Sequence, residues 1–210
     1  MDCMEFMKDK PDNYYDLAIV DPPYGIGASE KNSANKKQST KSATISNEYG
    51  SQEWDDNTPT HEYFNELIRC SRHQIIWGVN YYDYPLVGGR IYWDKQVTMP
   101  TYSSGELAYC SKINSLKAYV FAWHGMIQQD MSNKEIRIHP TQKPVVLYRW
   151  LLTNYAKPND KILDTHGGSF SSAIACHAEG FDLDICELDE DYFNDAIKRF
   201  NLNTIQEKLF

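Results

Sequence analysis

Short apolar segments of strand length alternate with segments of helical periodicity along this chain of 210 residues. Strands are predicted over residues 15–20, 74–78, 90–93, 106–110, 118–123, 161–163 and 183–186. Helices are predicted over residues 61–73, 145–155 and 170–178, and from 190 to 200 or beyond. This alternation predicts an α/β fold with a mostly parallel, doubly wound sheet that is covered on both faces. Ligands of such sheets bind beyond the carboxyl ends of the strands.

Length and composition restrict the class of protein further. A chain of 210 residues suits one sizeable core, and we predict a single domain over residues 1–210. Five scattered cysteines without a Cys-x-x-Cys pair argue against a disulfide framework and a metal site, and favour reduced thiols in a cytoplasmic protein. No apolar run reaches the roughly 18 residues that indicate a membrane-spanning helix. The net charge of −8 lowers the expectation of a nucleic-acid partner, although the segment 31–41 is locally basic.

The strand predicted over 15–20 ends abruptly at Asp21-Pro22-Pro23-Tyr24, because two prolines cannot continue a sheet ladder. An aromatic amine is a poor nucleophile, since its lone pair is delocalised into the ring. The Asp21 carboxylate and the Pro22 carbonyl are two acceptors for the protons of such an amine, and Tyr24 offers a ring on which a base can stack. A Pro-Pro pair also ends strands that have no such chemistry, so the tetrapeptide alone leaves both interpretations open.

A second candidate site follows the strand predicted over 161–163. The segment Asp164–Ser169 contains Gly167-Gly168 at a strand-to-helix turn, where glycine permits a ligand to approach the backbone closely. Glu187 follows the next strand about 20 residues later, the distance at which a carboxylate binds ribose hydroxyls in nucleotide-binding folds. The loop lacks the Gly-x-Gly-x-x-Gly spacing. It therefore indicates a nucleoside-type cofactor without identifying which one.

Together these motifs resemble the permuted β class of DNA amino-methyltransferases of restriction-modification and phage origin. In that class the catalytic tetrapeptide precedes the cofactor motif, as it does here. Further matching segments occur in the family's order: Ile75-Ile76-Trp77-Gly78 with Asn80-Tyr81, Trp93-Asp94-Lys95, Glu106-Leu107-Ala108 and His139-Pro140-Thr141-Gln142-Lys143-Pro144. The resemblance covers nearly the whole chain and implies a Rossmann-like, S-adenosylmethionine-dependent methyltransferase fold with circularly permuted motif order.

The resemblance implies a function and a role for each matching residue. The chain would transfer a methyl group from S-adenosylmethionine to N6 of an adenine flipped out of a specific DNA site. The implied catalytic residues are Asp21, Pro22, Pro23 and Tyr24. The implied cofactor-binding residues are Asp2, Asp21, His139, Thr141, Lys143, Asp164, His166, Gly168, Ser169 and Glu187. Loop insertions at about 28–60 and 96–138 are the candidate DNA-contacting regions.

The chain departs from the family pattern at three places. The cofactor loop usually contains a second glycine where this chain has Phe170, and a bulky ring there would narrow the cofactor pocket or shift the loop. His166 replaces an aromatic residue that packs near the cofactor. The chain begins at about the residue where the family's preceding strand ends, and an exposed sheet edge at that place would suit a homodimer.

Other activities use the same architecture. Cytosine-N4 methyltransferases usually carry serine in place of Asp21, so Asp21 favours adenine as the target. Methylation of RNA adenine and a catalytically inactive, nucleic-acid-binding relative remain alternatives. The chain has no Pro-Cys pair, which excludes cytosine-C5 chemistry. A dinucleotide-dependent dehydrogenase is disfavoured, because the tetrapeptide would have no task in it.

Overall fold

The computed structural model describes residues 1–27, 55–100, 102–124 and 127–206. In chain order its elements are α1 (Cys3–Lys8), β1 (Leu17–Val20), α2 (His61–Cys70), β2 (Gln74–Trp77), a 3-10 helix (Val79–Tyr81), β3 (Gly89–Asp94), β4 (Gly105–Cys110), β5 (Leu116–Val120), β6 (Trp123–His124), β7 (Ile127–Gln128), α3 (Val145–Tyr155), β8 (Lys161–Asp164), α4 (Ser171–Glu179), β9 (Asp182–Ile185) and α5 (Glu190–Gln206). No helix in these ranges is long and apolar enough to cross a membrane.

Seven strands form the central sheet in the order β5-β3-β4-β2-β1-β8-β9. Strand β1 pairs in parallel with both β2 and β8, and β8 pairs in parallel with β9. Strand β4 is antiparallel to its neighbours β2 and β3, and β5 is parallel to β3. The prediction of an α/β fold with a mostly parallel sheet is therefore confirmed.

Alternating side chains of β1 show why the sheet is covered on both faces. Leu17 and Ile19 belong to an apolar cluster that contains Leu147 and Leu151 of α3. Ala18 and Val20 belong to the opposite cluster, which contains residues of α1 and α2. All four residues of the strand are buried, as expected of a central strand that packs helices on each side.

The central position of β1 brings the two candidate motifs together. In the sheet, Leu17 pairs with Ile162 and Ala18 pairs with Leu163, so β1 and β8 run side by side in the same direction. Their carboxyl ends lead into Asp21 and into Thr165, respectively. The tetrapeptide and the 164–169 loop are therefore neighbours in space, although the tetrapeptide comes first in the sequence.

Parts of the sequence-based prediction need correction. The strand predicted over 118–123 is Leu116–Val120 in the structure, and Trp123 leaves the sheet to pair with Gln128 in a short hairpin. The segment 96–138, predicted as a loop insertion, contains β4 and β5 of the central sheet and this hairpin. Most of the other predicted insertion, 28–60, lies outside the described residues, including its basic stretch. DNA contact by either segment stays a prediction.

Phe170 precedes helix α4 instead of starting it. Its φ of 58° and ψ of 30° place it in the left-handed region, where a bulky residue is strained and glycine is not. The ring is 3% exposed and packs edge-on against Phe193 of α5, with 5.8 Å between the ring centroids. Burial of the ring against α5 offsets the backbone strain. It also directs the ring away from the candidate cofactor cavity, whose wall does not include Phe170.

Candidate active site

Two adjoining cavities open beyond the carboxyl ends of β1 and β8. The first has a volume of about 530 Å³ and is walled by residues from the N-terminus, the 139–143 segment and the 165–171 loop. The second, of about 420 Å³, is walled by the tetrapeptide and by residues from β3, β4 and the 137–143 segment. Their shared wall consists of Asp21, Pro23, Thr141, Gln142 and Lys143. We call the first the cofactor cavity and the second the target cavity.

The cofactor cavity brings together nine of the ten residues that the sequence assigned to cofactor binding. These are Asp2, Asp21, His139, Thr141, Lys143, His166, Gly168, Ser169 and Glu187. The remaining one, Asp164, is 1% exposed and lies behind the cavity wall. There its carboxylate accepts hydrogen bonds from the Ser172 hydroxyl at 2.5 Å and from the His166 backbone N–H at 3.1 Å. Asp164 therefore joins β8 to the first turn of α4 instead of facing the cavity.

Two carboxylates of the cofactor cavity are held by backbone donors. Glu187 accepts from the Gly168 N–H at 2.6 Å on one oxygen and from the Asp189 N–H at 2.9 Å on the other. Asp2 caps α1 by accepting from the backbone N–H groups of Met4 and Glu5. Glu187 keeps a further lone pair on each oxygen, and Asp2 keeps Oδ2 as an acceptor, because both of its capping hydrogen bonds go to Oδ1. The two side chains are thus oriented as acceptors for hydroxyl or amino groups of a ligand.

Both histidines of this cavity are neutral at pH 7. Burial lowers the pKa of His139 and of His166 to about 4. The His139 ring packs edge-on against Tyr192 at 4.3 Å, and its Nδ1 lies 3.1 Å from the Thr141 hydroxyl. His166 packs against Tyr63 at 5.5 Å. Their neutral rings add hydrogen-bonding and packing surface to the cavity without adding positive charge.

Asp164 makes the stability of this protein depend on pH. Burial raises the pKa of Asp164 to about 7, although Ser172 and His166 oppose the rise. A folded chain therefore holds this proton between about pH 4 and 7, where an unfolded chain has lost it, so stability falls as the pH rises through that range. The free energy of unfolding is expected to fall by on the order of 4 kcal/mol in all, because each pH unit between the two pKa values contributes about 1.4 kcal/mol.

The Asp164→Asn variant tests this expectation. Its free energy of unfolding, measured with urea at pH 5 and pH 8, should fall less between these pH values than that of the wild type, because the contribution of Asp164 is removed. The Asn side chain keeps an oxygen for the Ser172 hydroxyl, so the variant should fold. Identical pH slopes in the two proteins would show that Asp164 does not take up a proton between pH 8 and pH 5, which would contradict a pKa of about 7.

The target cavity contains a buried cluster of charges around Asp21. Lys143, which is 3% exposed, lies 2.5 Å from Asp21 Oδ2 and 2.9 Å from Glu106 Oε2. The Tyr24 hydroxyl lies 2.7 Å from Asp21 Oδ1 and 3.0 Å from Glu106 Oε2. Lys95 pairs with the other oxygen of Glu106. Two carboxylates and two ammonium groups therefore balance one another.

The cluster shifts the pKa of each of its central members. Burial raises the pKa of Asp21, which Lys143 opposes and Glu106 reinforces. Burial alone would raise the pKa of Glu106 as well, but the ammonium groups of Lys143 and Lys95 lower it far below its usual value. Burial would lower the pKa of Lys143, yet its two carboxylate partners raise it. Glu106 and Lys143 are consequently charged at neutral pH.

The backbone of the tetrapeptide is held on both sides. Asp55 Oδ1 accepts from the backbone N–H groups of Tyr24 and Gly25, at 2.7 and 3.1 Å. The Tyr82 hydroxyl donates to the Pro22 carbonyl at 2.8 Å. The Tyr24 ring stacks on Tyr81 with 4.9 Å between centroids and 13° between planes. These contacts orient the Asp21 carboxylate and the Pro22 carbonyl before any substrate arrives, which is the preorganisation that catalysis by positioning requires.

Gly78 supports Tyr24 from beneath. It has a φ of +75°, and a Cβ atom built on it would lie 2.2 Å from Tyr24 Cε1 and 2.7 Å from the Tyr82 hydroxyl oxygen. We expect Gly78→Ala to displace both rings and to lower any turnover at this site by on the order of 100-fold, because small misplacements of catalytic groups are costly. Ligand affinity of the cofactor cavity should stay unchanged, since Gly78 does not line it.

Gly27→Ala is the matched control for this variant. Gly27 also has a positive φ, of +63°, but no atom of the described residues lies within 4 Å of a Cβ built on it. Both substitutions carry the same kind of backbone strain, and the clash is specific to Gly78. Equal losses of turnover in the two variants would mean that Tyr24 is not held by this contact.

Sequence reasoning assigned no role to Glu106, Lys95, Asp55 or Tyr82, although each contacts the tetrapeptide or its partners. Glu106 and Lys95 lie in segments that match the family. Strands β3 and β4 are antiparallel, with Trp93 opposite Glu106, so the two segments face each other. The carboxylate of Glu106 and the ammonium group of Lys95, which lie in two adjacent family motifs, were the sequence feature from which their ion pair could have been predicted. Asp55 follows a long polar segment, and no sequence feature indicated that it contacts the tetrapeptide.

A model of the DNA methylase family named N6_N4_Mtase matches residues 87–198, more than half of the chain. The chain belongs to this family of amino-methyltransferases. S-adenosylmethionine is the methyl donor of the family, and methylation of DNA is its activity. No curated protein sequence matches the chain significantly.

Solved structures with a similar fold include three informative examples. The M1.HpyAVI–SAM complex is 20% identical, with a TM-score of 0.57 over 95% of this chain and 96% of that chain. The cytosine-N4-specific PvuII DNA methyltransferase is 14% identical, with a TM-score of 0.57 over 95% and 84%. TTHA0409, a putative DNA modification methylase from Thermus thermophilus, is 17% identical, with a TM-score of 0.54 over 97% and 93%. The fold is accordingly the Rossmann-like methyltransferase fold.

The residues of the cofactor cavity fit S-adenosylmethionine, which carries a sulfonium group, an ammonium group and a ribose. Among the described residues, the cations that line the cavity are Lys143 and the N-terminus, and the carboxylates are those of Asp2, Asp21, Glu187, Asp189 and Glu190. This excess of negative charge suits a ligand that bears two positive charges and one negative. Glu187 and Asp2 supply acceptors for ribose hydroxyls and for an amino group. Among the described residues, no group of histidine, cysteine and carboxylate side chains is arranged to hold a metal ion.

Proposed function

We propose that this DNA methylase acts on adenine and methylates its exocyclic N6 in DNA. The observation that carries the proposal is the place of Asp21, whose side chain lines both cavities at their shared wall. A methyl donor in one cavity and a flipped base in the other would meet at this carboxylate. In the part of the chain that the structure describes, no other acidic residue lines both walls.

The chain's own residues account for the activation of the amine. Asp21 and the Pro22 carbonyl each accept one of the two amine protons, which favours a pyramidal nitrogen with an available lone pair. Bound in the cofactor cavity, S-adenosylmethionine would supply the electrophilic methyl group, whose bond to sulfur would break as its bond to the amine nitrogen forms. The amine then loses one proton, and Asp21 is the carboxylate placed to receive it. The pKa of Asp21, raised by burial, suits this step.

The wall of the cofactor cavity supports a role in cofactor binding for each of several residues. We assign the ribose to Glu187, the adenine of the cofactor to Asp2, and the amino-acid part to the segment around Gly168 and Ser169. His139 and Thr141 complete that wall. Lys143 lines it too, but its ammonium group is engaged by Asp21 and Glu106, so we assign it to the carboxylate cluster.

Three features support DNA as the substrate despite the net charge of −8. Lys95 and Arg137 both line the target cavity, where cations would neutralise the phosphates beside an extruded nucleotide. The family match concerns DNA methylases. The paired tyrosines, Tyr24 and Tyr81, give the cavity an aromatic surface of the kind on which extruded bases stack.

The test is transfer of labelled methyl from S-adenosylmethionine to unmethylated genomic DNA, with total RNA as the competing substrate. We expect label in the DNA and none in the RNA. Label in RNA alone would contradict the proposal. Absence of transfer to both, together with no thermal shift on adding S-adenosylmethionine, would favour the inactive nucleic-acid-binding relative, because a ligand that binds the folded state must raise its stability.

A further inference from the structure

Both oxygens of Asp21 already have donors in this structure. Lys143 holds Oδ2 at 2.5 Å, and the Tyr24 hydroxyl donates to Oδ1 at 2.7 Å. Each of these oxygens keeps a second lone pair for a target amine, but the donor already bound to it makes it a weaker acceptor and a weaker base. Since the carboxylate is buried, a donor that leaves it must find another acceptor within the cavity, or its own desolvation goes uncompensated.

Glu106 provides that second acceptor. Its Oε2 lies 3.0 Å from the Tyr24 hydroxyl, which is therefore within hydrogen-bond distance of both carboxylates. A hydroxyl has a single proton, so Tyr24 serves one of the two carboxylates at a time. The Tyr24 oxygen itself accepts from Lys143 at 3.1 Å, which keeps it in place whichever way its proton turns.

We infer that Glu106 is a positioning residue for methyl transfer, because it takes over the Tyr24 hydroxyl and thereby frees Asp21 Oδ1 for the target amine. The inference rests on the proposed function. Rotation of one O–H bond exchanges the acceptor, while the Tyr24 ring keeps its stacking on Tyr81. The charge of Glu106 makes it a competitive acceptor, since hydrogen bonds to an ionised group are stronger than neutral ones.

The surroundings of Glu106 suit this role. Lys95 and Lys143 pair with different oxygens of the carboxylate and keep it ionised. Strand β4 carries Glu106 directly opposite Trp93 of β3, so its backbone is fixed by the sheet. The side chain lines the target cavity and not the cofactor cavity. Its substitution should therefore affect the chemical step without affecting cofactor affinity.

The Glu106→Gln variant tests the inference in single turnover with saturating S-adenosylmethionine. The amide is similar in shape but is a weaker acceptor, so the Tyr24 proton should stay on Asp21. We expect the rate of methyl transfer to fall on the order of 100-fold, with an unchanged Kd for S-adenosylmethionine. Glu179→Gln, at a carboxylate that lines neither cavity and pairs with Arg149, is the matched control and should keep the wild-type rate.

A double-variant cycle with Tyr24→Phe separates this role from a purely structural one. Phenylalanine keeps the ring but removes the hydroxyl, so Asp21 Oδ1 is free without help from Glu106. In that background, we expect Glu106→Gln to cost less than about 3-fold, a non-additivity that marks groups acting as one unit. The Tyr24→Phe variant alone, which should transfer methyl without the hand-over, also allows the inference to be tested if Glu106→Gln proves unstable.

Each outcome decides between the claims. If Glu106→Gln lowers the rate equally in the wild-type and Tyr24→Phe backgrounds, Glu106 does not act by accepting the Tyr24 hydrogen bond, and the inference is overturned. An undiminished rate in Glu106→Gln would overturn it as well. A wild-type chain that transfers no methyl to DNA would instead overturn the proposed function, and the present inference with it. A large loss of rate from Glu106→Gln in the wild-type background, together with a small loss in the Tyr24→Phe background, supports both the proposed function and the inference about Glu106.

Discussion

The Asp21→Ala variant is expected to lose methyl transfer by at least about 100-fold, the scale seen when one preorganised electrostatic group is removed from an active site. The physical reason is that the amine loses its anionic acceptor and the group that receives its proton. The binding of S-adenosylmethionine should weaken less than the transfer rate, because Asp21 is one of several carboxylates of the cofactor cavity and the others stay in place. Single-turnover transfer and calorimetric titration of the cofactor measure the two effects separately.

Asp195→Ala is the control for this variant. Asp195 lies on α5, pairs with the exposed Lys198 and lines neither cavity. It should keep the wild-type rate. If Asp21→Ala transferred methyl as fast as Asp195→Ala, Asp21 would have no part in the chemistry. The tetrapeptide would then only end strand β1.

The Lys143→Met variant is expected to lose about 3–5 kcal/mol of stability at pH 7, since removing one partner leaves buried charge without compensation. Asp21 and Glu106 both lose an ammonium group, which lies 2.5 Å from the first and 2.9 Å from the second. Their pKa values should rise, and protonation relieves the unpaired charge as the pH falls. The loss of stability should therefore be smaller at pH 5 than at pH 7, as urea denaturation at the two pH values will show.

Lys198→Met provides the comparison for that measurement. Lys198 is 72% exposed and pairs with Asp195 on the same helix, where such a pair contributes little. The expectation would be contradicted if Lys143→Met lost no more stability than Lys198→Met, or if its loss did not depend on pH. Water or a rearrangement of the cluster would then compensate the charges of Asp21 and Glu106.

The sequence was sufficient for those parts of the fold that depend on local pattern. Helix α3 has the predicted bounds: Pro144 precedes it as the N-cap residue in extended conformation, and its apolar residues recur at helical spacing. The strand before Asp21 was evident from its apolar residues and from the prolines that end it. The site at the carboxyl ends of β1 and β8 followed from the general behaviour of parallel sheets, which places residues 143 positions apart, such as Asp21 and Asp164, near one crevice.

Other features depend on contacts between distant segments and could not be read from local pattern. Asp164 matches a cofactor motif, yet its side chain turns into the protein towards Ser172. Phe170 stands where the family has glycine, but its ring packs on α5, which the loop sequence alone does not reveal. The pairing of Lys143 with Asp21 and Glu106 joins three segments of the chain across the sheet. Motif matching assigned Lys143 to the cofactor, whose cavity it also lines, but could not reveal this pairing.

Identification of the methylated nucleoside tests the central claim most directly. Unmethylated DNA is incubated with the protein and S-adenosylmethionine, digested to nucleosides and separated against standards. We predict N6-methyldeoxyadenosine as the product, absent when the Asp21→Ala variant replaces the wild type. N4-methyldeoxycytidine as the product would contradict the assignment of adenine, and no methylated nucleoside at all would contradict the claim that the two cavities meet at a working catalytic carboxylate.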